Sequence, residues 1–218
     1  MPVPVQPVEP EQRSDPARLV VMASGNGSNL QAVLDACAAG RLTAELVAVV
    51  SDRADAGALA RADAAGVAAV HVGRADGEAR HDYDARLAEV VAHFQPDLVV
   101  LAGWMCILTM SFLGAFPDRV VNLHPALPGE LPGTYAIERA WQEALAGERT
   151  RTGVMVHLVP AESVDDGPVL GTAIVDIRPD DTLDTLTARV HATEHRVLVD
   201  VLTELLADTP VPVAVRSC

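Results

Sequence analysis

From Ala17 onward, short apolar runs rich in β-branched residues alternate with segments of helical periodicity, and few folds accommodate that alternation. ARLVVMAS (Ala17–Ser24) reads as a buried strand, followed by the turn GNGSN. The helix after it carries Leu30, Val33, Leu34 and Cys37 at helical spacing and stops at Gly40. ELVAVVSD (Glu45–Asp52) is a second strand, Ala54–Ala65 a short helix ended by Gly66, and VAAVHV (Val67–Val72) a third strand. The next helix shows Leu87, Val90, Val91 and Phe94 and ends before Pro96. DLVVLAGW (Asp97–Trp104) is almost uninterrupted in apolar character, as a central parallel strand covered on both faces should be. RVVNLHP (Arg119–Pro125) is a fifth strand. Thr134 is read as the cap of a helix running to Ala146, with Gly147 as its stop. VMVHLV (Val154–Val159) and PVLGTAIVDI (Pro168–Ile177) are later strands, and a helix from about Thr182 to Asp208 closes the fold.

Strands alternating with helices require βαβ units and a doubly wound, mostly parallel sheet with a Rossmann-like N-terminal half. One domain over 17–208 is expected, between a Pro-rich leader (1–16) read as disordered and a C-terminal tail (209–218). The core must come from Val, Leu, Ile and Ala, because only 3% of the 218 residues are aromatic. Sixteen basic residues against thirty acidic ones leave a net charge of −14, which argues against nucleic-acid and anionic-membrane partners. No apolar stretch is long enough to span a bilayer, and no signal peptide opens the chain. The three cysteines, Cys37, Cys106 and Cys218, form no CxxC pair; they read as unpaired thiols in a reducing compartment, and a cytoplasmic location is expected.

In such sheets ligands bind beyond the carboxyl ends of the strands. Ser24-Gly25-Asn26-Gly27-Ser28-Asn29 occupies the first of these ends. A dinucleotide fingerprint fails at Leu30, where a third glycine belongs, and a Walker loop lacks its Gly-Lys-Ser/Thr. A small phosphate cradle or a plain tight turn remains. Asn122 and His124 lie two apart on a strand that Pro125 ends, so they face the same way at its carboxyl edge. Together they can stabilise an oxyanion and move a proton, or simply satisfy nearby backbone. Asp165, in the turn Val164-Asp165-Asp166-Gly167-Pro168, is either a solvated turn former or a partner that holds an imidazolium. Glu194 falls in the apolar stripe Leu183, Leu186, Val190, Val197 and Val201, where a carboxylate needs a partner. HATEH places His191 and His195 on one helix face in a zinc-protease pattern, but nothing singles out a third ligand, so no metal is expected.

Five segments in this order, LVVMASGNGSNLQAVLDA, DLVVLAGWMCIL, VVNLHPALPGELPG, VDDGPVL and ATEH, resemble the phosphoribosylglycinamide formyltransferases. Those folate-dependent enzymes formylate glycinamide ribonucleotide in purine synthesis. The resemblance covers Ala17 to about Ala207 and implies the formyltransferase fold. It also implies direct formyl transfer from 10-formyltetrahydrofolate, as co-substrate, to a primary amine through a tetrahedral intermediate. Asn122, His124 and Asp165 match the residues around the formyl carbon, with Asp165 keeping His124 charged near neutral pH. Gly27, Ser28 and Asn29 match the phosphate-binding turn, and Glu194 the contact to the glycinamide moiety. Met105, Cys106, Ile107 and Leu108 match the backbone segment holding the pterin, together with Asn122, and Arg80 matches an arginine near the folate. The sequence departs from the family pattern at Cys106, where arginine is usual, and at Tyr135 and Asp166.

Within the wider family, a deformylase would carry a further N-terminal domain. A methionyl-tRNA formyltransferase would carry a C-terminal β-barrel and a basic face. A formyltransferase for another small amine, and a folate- or nucleotide-binding module without catalysis, complete the alternatives. The expected partners are small molecules, and the expected assembly is a monomer or homodimer.

Overall fold

A computed structural model of the chain describes residues 15–207. The leader expected over 1–16 lies outside these residues except for its last two, and so do the 209–218 tail, Asp208 and Cys218. Seven strands form one sheet in the order β3-β2-β1-β4-β5-β6-β7: β1 Ala17–Met22, β2 Ala44–Ser51, β3 Ala68–His71, β4 Leu98–Leu101, β5 Val120–His124, β6 Arg151–Leu158 and β7 Val169–Asp176. The first five run parallel, whereas β6 is antiparallel to both neighbours. The expected doubly wound, mostly parallel sheet is therefore present, with one strand reversed.

Six helices cover it: α1 Ser28–Ala38, α2 Gly57–Ala64, α3 Arg80–His93, α4 Met110–Leu113, α5 Ala136–Leu145 and α6 Leu183–Ala207. The alternation of side chains along each strand divides the core into two layers. Leu19, Val21, Val49, Val100, Val121 and Val156 face one way, against α1 and α6, whose Leu30, Val33, Leu186 and Leu198 are fully buried. Val20, Met22, Val50, Val99 and Val120 face the other way, with Tyr83, Leu87 and Phe112 of α3 and α4. Burying each such side chain contributes about 1.5–3 kcal/mol, so β1 and β4, covered on both faces, anchor the sheet.

Two expectations need correction. Thr134 does not cap α5; the residue before the helix is Tyr135, left-handed at φ 59°, and no side chain caps it. The four residues of α4 lie inside what was read as a connection, because one turn is too short to show periodicity.

Candidate active site

The strand order reverses between β1 and β4, which opens a crevice at their carboxyl ends. The two loops that meet there are tied together: Ser24 N–H donates to Gly103 O (3.0 Å), and Met105 N–H donates to Ser24 Oγ (3.0 Å). Gly27 takes φ 80°, and a Cβ there would lie 2.8 Å from Ala58 Cα, so both the turn and the approach of α2 require glycine. The N–H groups of Ser28 and Asn29 open α1, where the preceding residues lie outside the helix and no intrahelical carbonyl accepts them.

Asn122, His124 and Asp165 meet in space although 41 residues separate His124 from Asp165 in the chain. Both β5 residues point to the face that carries α3 and α4, and Asp165 arrives from the turn before β7. His124 Nδ1 lies 3.2 Å from Asp165 Oδ2, and Asn122 Nδ2 donates to Asp165 Oδ1 (3.1 Å). Gly133 N–H donates to Asp165 Oδ2 (2.8 Å), and His124 Nε2 faces the Leu131 carbonyl (3.1 Å). Leu131 and Asp165 both adopt left-handed φ, of 46° and 52°, where non-glycine residues cost of order 1–3 kcal/mol. Both of these residues hold the imidazole.

His157 joins the cluster, and reading the sequence missed it. It lies opposite Asn122 in the antiparallel pairing of β5 with β6. Its Nδ1 donates to Leu158 O (2.8 Å), which leaves Nε2 to accept from Asn122 Nδ2 (3.1 Å). Both amide hydrogens of Asn122 are thereby committed, one to His157 and one to Asp165. The amide nitrogen must face Asp165, because the carboxylate can only accept. The group that Asn122 leaves for a ligand is its carbonyl oxygen.

Burial and charge act on these groups in opposite directions. Burial pulls the His124 pKa below its ordinary value, and the neighbouring Asp165 carboxylate opposes this without reversing it. Burial works against ionised Asp165 too, yet the hydrogen bond from the Gly133 N–H and the His124 imidazole hold its pKa below the usual carboxylate range.

Glu194 on α6 is buried, and its pKa is pushed up to about 7 by that burial; a 3.4 Å hydrogen bond from Asn29 Nδ2 only partly offsets the cost. Asn29 Oδ1, buried nearby, has no protein partner. The glycine turn and the misplaced carboxylate are therefore neighbours. His191 Nε2 stands 3.9 Å from Glu194 Oε2. Among the described residues no group of three metal-ligating side chains is assembled.

The segment after β4 presents exposed Met105 and Ile107 beside buried Leu108. Arg80, expected near a ligand, braces this segment. It pairs with fully buried Asp84 (3.0 Å) and donates to the Ile107 carbonyl. Asp84 also accepts from Thr109 N–H (2.7 Å), and Glu162 accepts from Met110 N–H (2.6 Å), which links the segment to the loop that carries Asp165. Cys106 Sγ lies 3.5 Å from Asp52 Oδ2, and burial raises its thiol pKa. Cys37 and Cys106 are both unpaired. No described helix is long and apolar enough to cross a membrane.

A carbonyl acceptor, an imidazole backed by a carboxylate and a phosphate-sized cradle on one sheet edge suit acyl transfer to an amine. Comparison with known proteins agrees. The formyl transferase family model matches residues 17–202. The phosphoribosylglycinamide formyltransferase of Schizosaccharomyces pombe is 42% identical over 206 residues, covering 88% of this chain and 98% of that protein. The protein of the same name from Mycobacterium tuberculosis is 43% identical over 186 residues, covering 85% and 83%. Among solved structures, glycinamide ribonucleotide transformylase 1 from Symbiobacterium toebii superposes with a TM-score of 0.83 at 38% identity, over 89% of this chain and 90% of that one.

Proposed function

The chain belongs to the formyl transferase family, and we propose that it moves the formyl group of 10-formyltetrahydrofolate to the primary amine of glycinamide ribonucleotide. The amine nitrogen adds to the formyl carbon, its carbonyl oxygen becomes an oxyanion, and the bond from that carbon to the folate nitrogen then breaks. The proton lost by the amine ends on the folate nitrogen, so the products are a formamide and tetrahydrofolate.

The observation that carries the reading is the contact of His124 with Asp165 beside Asn122, at the sheet edge where the glycine turn also lies. Asn122 Oδ1 accepts from the attacking amine and aims its lone pair at the carbon. His124 Nε2–H stabilises the oxyanion, which requires it to exchange the Leu131 carbonyl for substrate. Asp165 accepts from His124 Nδ1–H and favours the imidazolium, whose Nε2–H does the donating as negative charge develops. His157 holds the Asn122 amide in register.

The N–H groups of Gly27, Ser28 and Asn29 receive the phosphate, and Glu194 receives the glycinamide end of the substrate. Backbone groups of Met105–Leu108, near Asn122, hold the pterin. Within that segment, Met105 N–H and the Ile107 carbonyl are already committed to Ser24 and Arg80. The small-molecule partners and a cytoplasmic setting belong to the same proposal.

The test is to incubate the protein with donor carrying a labelled formyl group and either glycinamide ribonucleotide, its dephosphorylated analogue, or water alone. Labelled formamide should form fastest with the ribonucleotide, with one tetrahydrofolate released per formamide. Labelled formate from water, or no preference for the phosphorylated amine, overturns the proposal.

A further inference from the structure

The turn between β1 and α1 has two sides. Among the described residues, the N–H groups of Gly27, Ser28 and Asn29 have no hydrogen-bond partner, whereas the carbonyls behind them are taken. Gly25 O accepts from Ala58 N–H (3.1 Å), and Gly27 O accepts from Gln31 N–H (2.9 Å). Between these, Asn26 O accepts from Arg61 Nε (2.8 Å).

A trans peptide points its C=O and the following N–H in opposite directions within one plane. Whatever holds the Asn26 carbonyl outward therefore aims the Gly27 N–H inward. For the neighbouring peptides the holder is a backbone N–H, which cannot be mutated away. For the Asn26–Gly27 peptide it is one side chain. Arg61 also donates through Nη2 to Asn26 Oδ1 (2.8 Å) and through Nη1 to Gln31 Oε1 (3.0 Å). Its guanidinium thus grips both oxygens of one turn residue and a side chain of α1. All three acceptors are neutral, and among the described residues no carboxylate lies within ion-pair distance of Arg61. The guanidinium brings a positive charge beside the turn, in a chain of net charge −14. The guanidinium also lines a cavity of about 430 Å³ together with Ser28, Gln31, Asp35, Arg41 and Asp200.

We infer that Arg61 is a positioning residue for phosphate recognition: it sets the direction of the Gly27 N–H and polarises that peptide toward an anion without touching the substrate. The inference rests on the proposed use of the turn as a phosphate site. Its effect belongs to the phosphate-bearing substrate alone, because neither the folate segment nor the Asn122–His124–Asp165 cluster contacts Arg61.

The experiment measures binding of inorganic phosphate by calorimetry, and steady-state kinetics, in wild type, Arg61→Ala and Arg61→Lys. Loss of a charge-assisted hydrogen bond predicts about tenfold weaker phosphate binding and a tenfold higher KM for glycinamide ribonucleotide in Arg61→Ala. The KM for the formyl donor and kcat should stay within about twofold. Arg61→Lys, which keeps the charge but loses the fork, should fall between. If Arg61→Ala does not fold, a KM rise confined to the phosphorylated substrate in Arg61→Lys still supports the inference. Unchanged phosphate affinity, or equal loss for both substrates in parallel with a lower Tm, overturns it. Phosphate binding is read without turnover. A wild-type protein that binds phosphate, loses it in Arg61→Ala, yet formylates no ribonucleotide would defeat the functional reading and leave the role of Arg61 standing.

Discussion

Replacing Glu194 with glutamine should stabilise the free protein at alkaline pH while impairing it as an enzyme. In the folded chain burial lifts this carboxyl from its ordinary 4.5 to about 7, and the hydrogen bond it accepts from the Asn29 amide is long. The folded state therefore holds the proton more tightly than the unfolded state does. Its stability from this group is fully present below pH 4.5 and is lost as pH rises through about 7. Moving a carboxyl across that interval costs about 3 kcal/mol once it is ionised. His191, the other titratable group beside it, gives little compensation near neutrality, since burial lowers its own pKa against the pull of Glu138. Glutamine keeps the shape and removes the charge. Denaturant melts of both proteins from pH 5 to pH 8.5 should nearly coincide at the acid end and diverge by up to about 3 kcal/mol at the alkaline end. In a domain of this size that is a Tm difference of roughly 6–12 °C in favour of the variant. Parallel stability profiles across the whole range would refute the reasoning, because an exposed or well-paired carboxylate has no such pH dependence.

Three further outcomes follow from the geometry. His124→Ala should lower kcat by about 100-fold or more at saturating substrates, as loss of an oxyanion or acid–base group does, and near-normal turnover would remove it from the mechanism. Asp165→Asn should drop the His124 pKa further below its ordinary value, seen as an acid shift of the imidazole signal in an NMR titration; an unchanged midpoint would show that the carboxylate has no hold on it. Gly27→Val forces a side chain against the Ala58 backbone at φ 80°, so it should raise the KM of the phosphorylated amine far more than that of the folate, and an equal effect on both would place the phosphate elsewhere.

Much of this was readable from the sequence, for reasons that differ by residue. The parallel strands declared themselves because β1 and β4 are buried on both faces and so read as continuous apolar runs. Glu194 stood out because a carboxylate in an apolar stripe carries a cost that something must offset. The gathering of Asn122, His124 and Asp165 came from resemblance, since nothing local in a VDDGPVL turn says what lies above it. His157 was hidden in VMVHLV, where a single histidine among buried apolar residues reads as core. Its role depends on facing Asn122 across an antiparallel register that no sequence period reveals. The carboxylate beside His124 is visible in a motif, while the depth of burial that works against its charge is not. Thr134 was misread as a cap because residue type was weighed without the backbone, which places Tyr135 there in a left-handed conformation two residues after the N–H that Asp165 claims.

The most direct measurement is a crystal structure of the protein with a multisubstrate adduct, in which a folate is joined to glycinamide ribonucleotide through a tetrahedral carbon bearing a hydroxyl. The hydroxyl oxygen should lie about 3 Å from His124 Nε2, with the Leu131 carbonyl displaced and the phosphate on the N–H groups of Gly27, Ser28 and Asn29. An adduct seated with its hydroxyl away from the imidazole, the His124–Leu131 contact intact and the phosphate off the glycine turn, would contradict the mechanism.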